Sequence, residues 1–165
     1  MKAASAALLW VAMFPLGAQV KRLAPAAFPE LPKNVAAELN RRGCIIPQPY
    51  PEKRANVIRG AFKKPGQTDW AVLCAAGEFS SILVFWNGSE RDPAEAAKWR
   101  EPDENAVYDF FIRPVGRKFI LIHYKAYGGP KPPPIDHQGI ESGGEKASEV
   151  LYYYRGEWLK LQGAD

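Results

Sequence analysis

Two neighbouring runs, "TDWAVLCAA" and "FSSILVFW", limit what this chain can become. In the second, Ile82, Val84 and Trp86 alternate with Leu83 and Phe85, so an extended strand here is apolar on both sides. Strand geometry sends alternate side chains to opposite faces. A strand apolar on both faces belongs in the middle of a sheet that is covered above and below. A tight turn around Gly77 joins the two runs, and so short a connection makes them antiparallel neighbours.

The rest of the chain is read around that pair. "KNVAAELNRRG" places Val35, Ala36 and Leu39 on one helical face, with two arginines in the last turn and Gly43 at the end. "CIIPQPYPEK" is extended, because its prolines forbid helix. "NVIRGAF" reads as a strand, and Asn87-Gly88 as a turn. "SERDPAEAAKWR" carries helix-start signals, with Asp92 as N-cap, Pro93 in the first turn and Glu95 at the capping-box position. "AVYDFFI" and "KFILIHYKAY" read as two further strands split by Pro114-Val115-Gly116, and "SEVLYYYRGEWLKLQ" as a hairpin about Arg155-Gly156. The expected fold is α+β. It is a six- or seven-stranded antiparallel meander with an N-terminal helix and a short helix packed at one face or edge.

Residues 1–18 read as an export signal: Lys2, an apolar run "AASAALLWVAMF", then a helix break with Ala18 as the last residue before cleavage. "APA" at residues 24–26 is an alternative cut, and an uncleaved anchor is the competing reading. The apolar run is shorter than the roughly 20 residues a spanning helix needs, so no membrane span is expected in the mature form. Residues 19–32 read as a Pro- and Ala-rich linker and residues 33–165 as a single α+β domain. An exported chain leaves Cys44 and Cys74 only each other as disulfide partners; the alternative is that Cys74 is a small buried hydrophobe. The formal net charge of +4 is scattered over short pairs such as Lys63-Lys64 rather than gathered in a stripe, so nucleic acid is not an expected partner.

Residues 60–86 resemble a single degenerate FG-GAP repeat, the blade unit of integrin-type propellers. Gly60, Phe62, Gly66 and Asp69 match its frame, while Ala61, Lys63 and Pro65 stand where calcium ligands would be. The resemblance implies a turn that keeps the shape of a calcium loop without the ion, with Lys63 or Lys64 near Asp69 in the cation's place. Calcium needs six to eight oxygens, which one aspartate does not provide. An ordinary hairpin with Pro65-Gly66 in a type II turn explains the same residues. The mature chain is also similar to small exported bacterial proteins of unassigned function, on "ELNRRGC", "GQTDWAVLC", "SSILVFW" and "YYYRGEWLKLQGAD". That similarity implies export and a shared fold, but no reaction.

The segment from Gly128 to Ser148 lacks apolar periodicity between two expected strands, and a loop of that length is functional or disordered. It holds Asp136, His137, Glu141 and Glu145, a set able to touch a polar ligand but matching no metal spacing, so neither metal nor cofactor is expected. The hairpin contributes Tyr152, Tyr154 and Trp158, aromatics suited to a protein or glycan partner or simply to strand packing. His123 has Asp109 as a candidate partner. No serine or cysteine carries a nucleophile signature. The expected function is an exported, non-enzymatic domain that binds a partner in the envelope or outside the cell. The alternative is a small secreted hydrolase or metal-dependent enzyme built on the 128–148 loop. No pattern in the chain reports its oligomeric state.

Overall fold

The computed structural model describes residues 21–50, 52–100, 110–144 and 146–164. The signal expected at residues 1–18, and the candidates Asp109 and Glu145, lie outside the described residues. In chain order the elements are β1 (Lys21–Leu23), a 3-10 turn at Pro25–Ala27, α1 (Lys33–Arg41), β2 (Ile46–Gln48), β3 (Val57–Gly60), β4 (Asp69–Ala76), β5 (Phe79–Phe85), a 3-10 turn at Trp86–Gly88 and β6 (Ala94–Arg100). They continue with β7 (Phe111–Val115), α2 (Arg117–Tyr127), β8 (Gly139–Gly143), β9 (Ser148–Tyr154) and β10 (Glu157–Gln162).

The runs that are apolar on both faces are β4 and β5, the two inner strands of a sheet ordered β3-β4-β5-β6. One face of that sheet, through Val72, Cys74, Leu83 and Phe85, meets Phe28, Leu31, Val35 and Leu39 from the α1 side. Its other face, through Ala71, Leu73, Ile82 and Val84, meets Ile112, Ile140 and Leu151 of a second sheet ordered β10-β9-β8-β7. The back of that second sheet, through Val115, Val150, Tyr152 and Leu161, packs on Ile120 of α2. The layers therefore run α1, first sheet, second sheet, α2, with all strand pairs antiparallel. Val35 and Leu39 are completely buried, and each such side chain contributes roughly 1.5–3 kcal/mol by leaving water.

Asn56 joins the two sheets. Its side chain is fully buried; Nδ2 donates to the carbonyls of Pro47 (2.7 Å) and Phe110 (3.0 Å), and Oδ1 accepts from Ile112 N–H (2.9 Å). The amide thus acts like a short piece of strand beside β7. Asn is also among the residues that best tolerate its left-handed φ of 68°.

Cys44 and Cys74 form a disulfide, with Cα atoms 5.0 Å apart. It ties the end of α1 to β4, and Ile45 and Ala75 beside it exchange two backbone hydrogen bonds of 2.9 Å.

Several expectations change. The described residues hold ten strands in three sheets, the smallest being the β1–β2 ribbon, rather than one six- or seven-stranded meander. The helices lie on opposite outer faces rather than at one face or edge. "KFILIHYKAY" is helix α2, not a strand: Phe119, His123 and Tyr127 stack at i, i+4 spacing, and Gly128 at φ 79° ends the helix. A ten-residue apolar run fits both periods, and its Phe, Ile and Tyr content weights the reading towards β. "SERDPAEAAKWR" holds strand β6, not a helix, because Asp92 takes a left-handed φ of 46° and pairing along β5 overrides the helix preference of alanine. Residues 21–32, expected to be a linker, contain β1 and a 3-10 turn and bury Phe28 and Leu31.

The disulfide closes a loop spanning a sequence separation of 30. The Cys44→Ala/Cys74→Ala double variant is expected to lose about 3–4 kcal/mol of unfolding free energy, read from the urea midpoint at unchanged m-value.

Candidate functional site

The turn between β3 and β4 is organised by Asp69, whose side chain is fully buried. Its Oδ2 accepts the N–H groups of Phe62 (2.9 Å) and Lys63 (3.1 Å). Its Oδ1 accepts Gln67 Nε2 (2.6 Å) and the N–H of Asn87 (3.0 Å). Both carboxylate oxygens are thus engaged by the protein's own donors, which satisfies a buried charge. Gly60 is required for close approach: a Cβ there would sit 2.6 Å from the Phe62 ring. Lys63 does not reach towards Asp69. Its ammonium lies 5.3 Å from the centre of the Trp86 ring, a cation–π contact.

The long segment before β8 docks on this same turn. Gln138 N–H donates to the carbonyl of Ala61 (2.8 Å) and Gln138 Oε1 accepts Ala61 N–H (2.9 Å). His137 is thereby held against β9 with its side chain 5% exposed. Its Nε2 donates to the carbonyl of Tyr153 (2.9 Å), which fixes a proton on that nitrogen. Its Nδ1 lies 2.5 Å from Asp136 Oδ1 and 3.0 Å from the Tyr152 hydroxyl, and the Tyr152 ring stacks on the imidazole at 4.3 Å. The His137 hydrogen bond, with a further one from Tyr152, holds the Asp136 carboxyl below its ordinary value of 3.8. Burial pushes the Tyr152 phenol above its ordinary range.

The third component is the β9–β10 hairpin. Arg155 and Gly156 both have positive φ, 53° and 94°, as a two-residue type I′ connection demands. The Arg155 guanidinium lies 5.2 Å from the centre of the Tyr154 ring. Turn, docked segment and hairpin together border an open groove of about 400 Å³ lined by Lys63, Lys64, Asp136, His137, Tyr153 and Arg155, with Tyr154 at its side. Tyr153 packs between Trp86 (5.1 Å) and Trp158 (5.2 Å) in the floor behind it.

Of the expected site residues, Asp136, His137 and Tyr154 line this groove. Tyr152 does not: it is fully buried under α2, with its hydroxyl turned to Asp136. Trp158 lies opposite Tyr153 in register, on the inter-sheet side, so it does not share a face with Tyr152 and Tyr154. Glu141 is a fully buried residue of β8, ion-paired to Arg113 and accepting a hydrogen bond from Ser148 Oγ (2.7 Å). Burial and these partners remove it from any ligand. His123 stands on α2, where Nδ1 meets the carbonyl of Phe119 at 2.9 Å. Among the described residues, no three His, Cys, Asp or Glu side chains come together as a metal site. Lys64, Tyr153 and Arg155 join the site only through the fold. The one local sign of Arg155's role is a bulky cation where a hairpin turn prefers Asn, Asp or Gly.

Compared with family models, with curated proteins and with solved structures, the chain gave no match.

Asp69→Ala would strand buried N–H donors and is expected to destabilise the fold by about 3 kcal/mol in urea. The lowered Asp136 value has a defined pH signature. A carboxyl held lower in the folded state adds stability that is complete above its unfolded value and is lost as pH falls through the folded one. The stability gap between the native chain and Asp136→Asn should be full at about pH 5 and narrow progressively below the ordinary value of 3.8.

Proposed function

We propose that this chain is an exported, non-enzymatic domain that binds a protein or glycan partner in the envelope or outside the cell, through the groove at Lys63, Asp136, Tyr154 and Arg155. One observation carries the reading. Three segments singled out for unrelated reasons, the 60–69 turn, the 128–148 segment through its Asp136 and His137, and the Arg155 hairpin, border one groove. Its volume of about 400 Å³ lies within the ordinary range for ligand sites.

The absence of a reaction is supported by how the candidate acids and bases are spent. Both nitrogens of His137 are engaged, so no free lone pair faces the groove to take a proton. Glu141 is sealed behind Arg113 and Ser148. Export is supported by the disulfide, since such bonds persist in oxidising compartments. No helix among the described residues is long and apolar enough to cross a membrane. A cut after Ala18 leaves β1 intact, whereas a cut after Ala26 removes the strand that pairs with β2. The 60–69 turn we read as a loop of the blade-unit kind that has exchanged its ion for N–H donors, a reading supported by the four hydrogen bonds on Asp69.

The test uses the full chain recovered from its producing cell. Mass spectrometry is expected to find an N-terminus at Gln19. Immobilised protein should then capture a component of native envelope extract. Capture should fall about tenfold in a Lys63→Glu/Arg155→Glu variant and persist in Lys125→Glu, a charge reversal on the remote α2. Equal capture by all three proteins would remove the groove from the function.

A further inference from the structure

We infer that the groove is an oxyanion site: it takes a small ligand, or the terminus of a larger one, that carries at least two negative charges on phosphate or carboxylate groups. This rests on the binding reading above and adds the chemistry of what is bound.

Charge balance is the first support. Some basic side chains elsewhere have acidic partners, as Arg41 and Arg42 share Glu38, Arg100 meets Glu78, Arg113 meets Glu141 and Lys160 meets Glu149, while others such as Arg59, Lys118 and Lys125 have none among the described residues; what sets the groove apart is that three such cations gather in it. Lys63, Lys64 and Arg155 line one groove and none has a carboxylate partner among the described residues. The one acid in that lining, Asp136, turns its Oδ1 to His137 Nδ1 (2.5 Å) and the Tyr152 hydroxyl (3.2 Å), so three cations face a single carboxylate there. Three cations around one cavity repel one another, and an anion placed between them relieves that repulsion.

Geometry is the second. Arg155 lies against the Tyr154 ring and Lys63 against the Trp86 ring. A ring holds a cation in place without neutralising it, so both charges stay available. A guanidinium whose flat face is occupied still presents N–H edges, the fork that matches two oxygens of a carboxylate or phosphate. The ring faces are already taken by the cations, so the groove is not a bare platform for stacking a neutral sugar.

Strain is the third. A non-glycine residue at φ 53° is uncommon, and arginine gains nothing from that conformation that Asn would not supply at lower cost. Backbone strain of this kind concentrates at binding sites. Arg155 is therefore placed for its side chain and not for the turn.

The experiment is a Trp fluorescence and calorimetric titration of the disulfide-bonded protein with pyrophosphate, citrate and neutral chitobiose at matched ionic strength. Saturable binding of pyrophosphate or citrate, but not of chitobiose, is the expected result, and the preferred anion distinguishes a phosphate ligand from a carboxylate one. Arg155→Asn should weaken that binding about tenfold while raising the melting temperature, because Asn tolerates the left-handed turn. Lys63→Gln/Lys64→Gln should weaken it by a similar factor. Absence of saturable anion binding, or undiminished binding in Arg155→Asn, overturns the inference. The two readings fail separately. Envelope capture that is lost in the charge-reversed variant, yet not competed by either anion, keeps the groove as a binding site and discards the oxyanion.

Discussion

The groove depends on the hydrogen bonding of Asp69. A carboxylate with no exposure would be very costly without partners, and here four N–H groups converge on it. Three of those donors lie in the turn it closes, at Phe62, Lys63 and Gln67, and the fourth lies beyond β5, at Asn87. The same side chain therefore sets the shape of the turn and brings Trp86 beside it. Lys63 then finds the Trp86 ring, and Gln138 finds a fixed Ala61 on which to dock the segment carrying Asp136 and His137. Removing the carboxylate would release the lysines and the segment together.

Three acidic side chains near the second sheet and its neighbouring turn meet three fates, and these decide the sign of the surface. Asp69 is consumed by backbone and amide donors, Glu141 by Arg113 and Ser148, and Asp136 by His137 and Tyr152. Each is hydrogen-bonded where it stands, and among the described residues none is ion-paired to Lys63, Lys64 or Arg155. The scattered basic pairs of the sequence become a local excess because folding gathers cations from residues about ninety positions apart while spending the nearby acids elsewhere. The scatter in sequence gave no view of this convergence.

Legibility in the sequence followed how local each signal was. β4 and β5 are plain because their burial on both faces is written in every residue, and α1 because its apolar face and glycine stop are local. The disulfide was legible by elimination, with only two cysteines to pair. β8 was hidden: "GIESG" is entirely buried, yet one of its side chains is an ion-paired glutamate. Two glycines stand where Cβ atoms would crowd the next strand; at Gly139 one would lie 2.6 Å from Val150 Cγ1. No apolar alternation survives in such a strand. α2 misled in the opposite way, since an apolar run rich in Ile and aromatics looks extended until the i, i+4 stacking of Phe119, His123 and Tyr127 is seen. Asp136 and His137 were recognisable as chemistry-bearing residues, but their cationic company was not, because Gln138 and Ala61 join only through tertiary pairing.

The walls of the groove belong to different layers. Lys63 and Lys64 stand on the turn of the first sheet, Tyr154 and Arg155 on a hairpin of the second, and His137 on the segment that bridges them. Trp86 from the first sheet and Trp158 from the second stack with ring centres 5.9 Å apart behind the groove, so inter-sheet packing and site geometry are one arrangement. A ligand that touches both walls binds only when the sheets are docked, and such a ligand adds its binding free energy to that docking. Separating the sheets would expose the apolar layer at Leu73, Ile82, Ile140 and Leu151, which makes an opening motion at this interface expensive. The groove is thus preorganised: two of its three cations, Lys63 and Arg155, lie against the Trp86 and Tyr154 rings, which leaves little ordering for a ligand to impose on them.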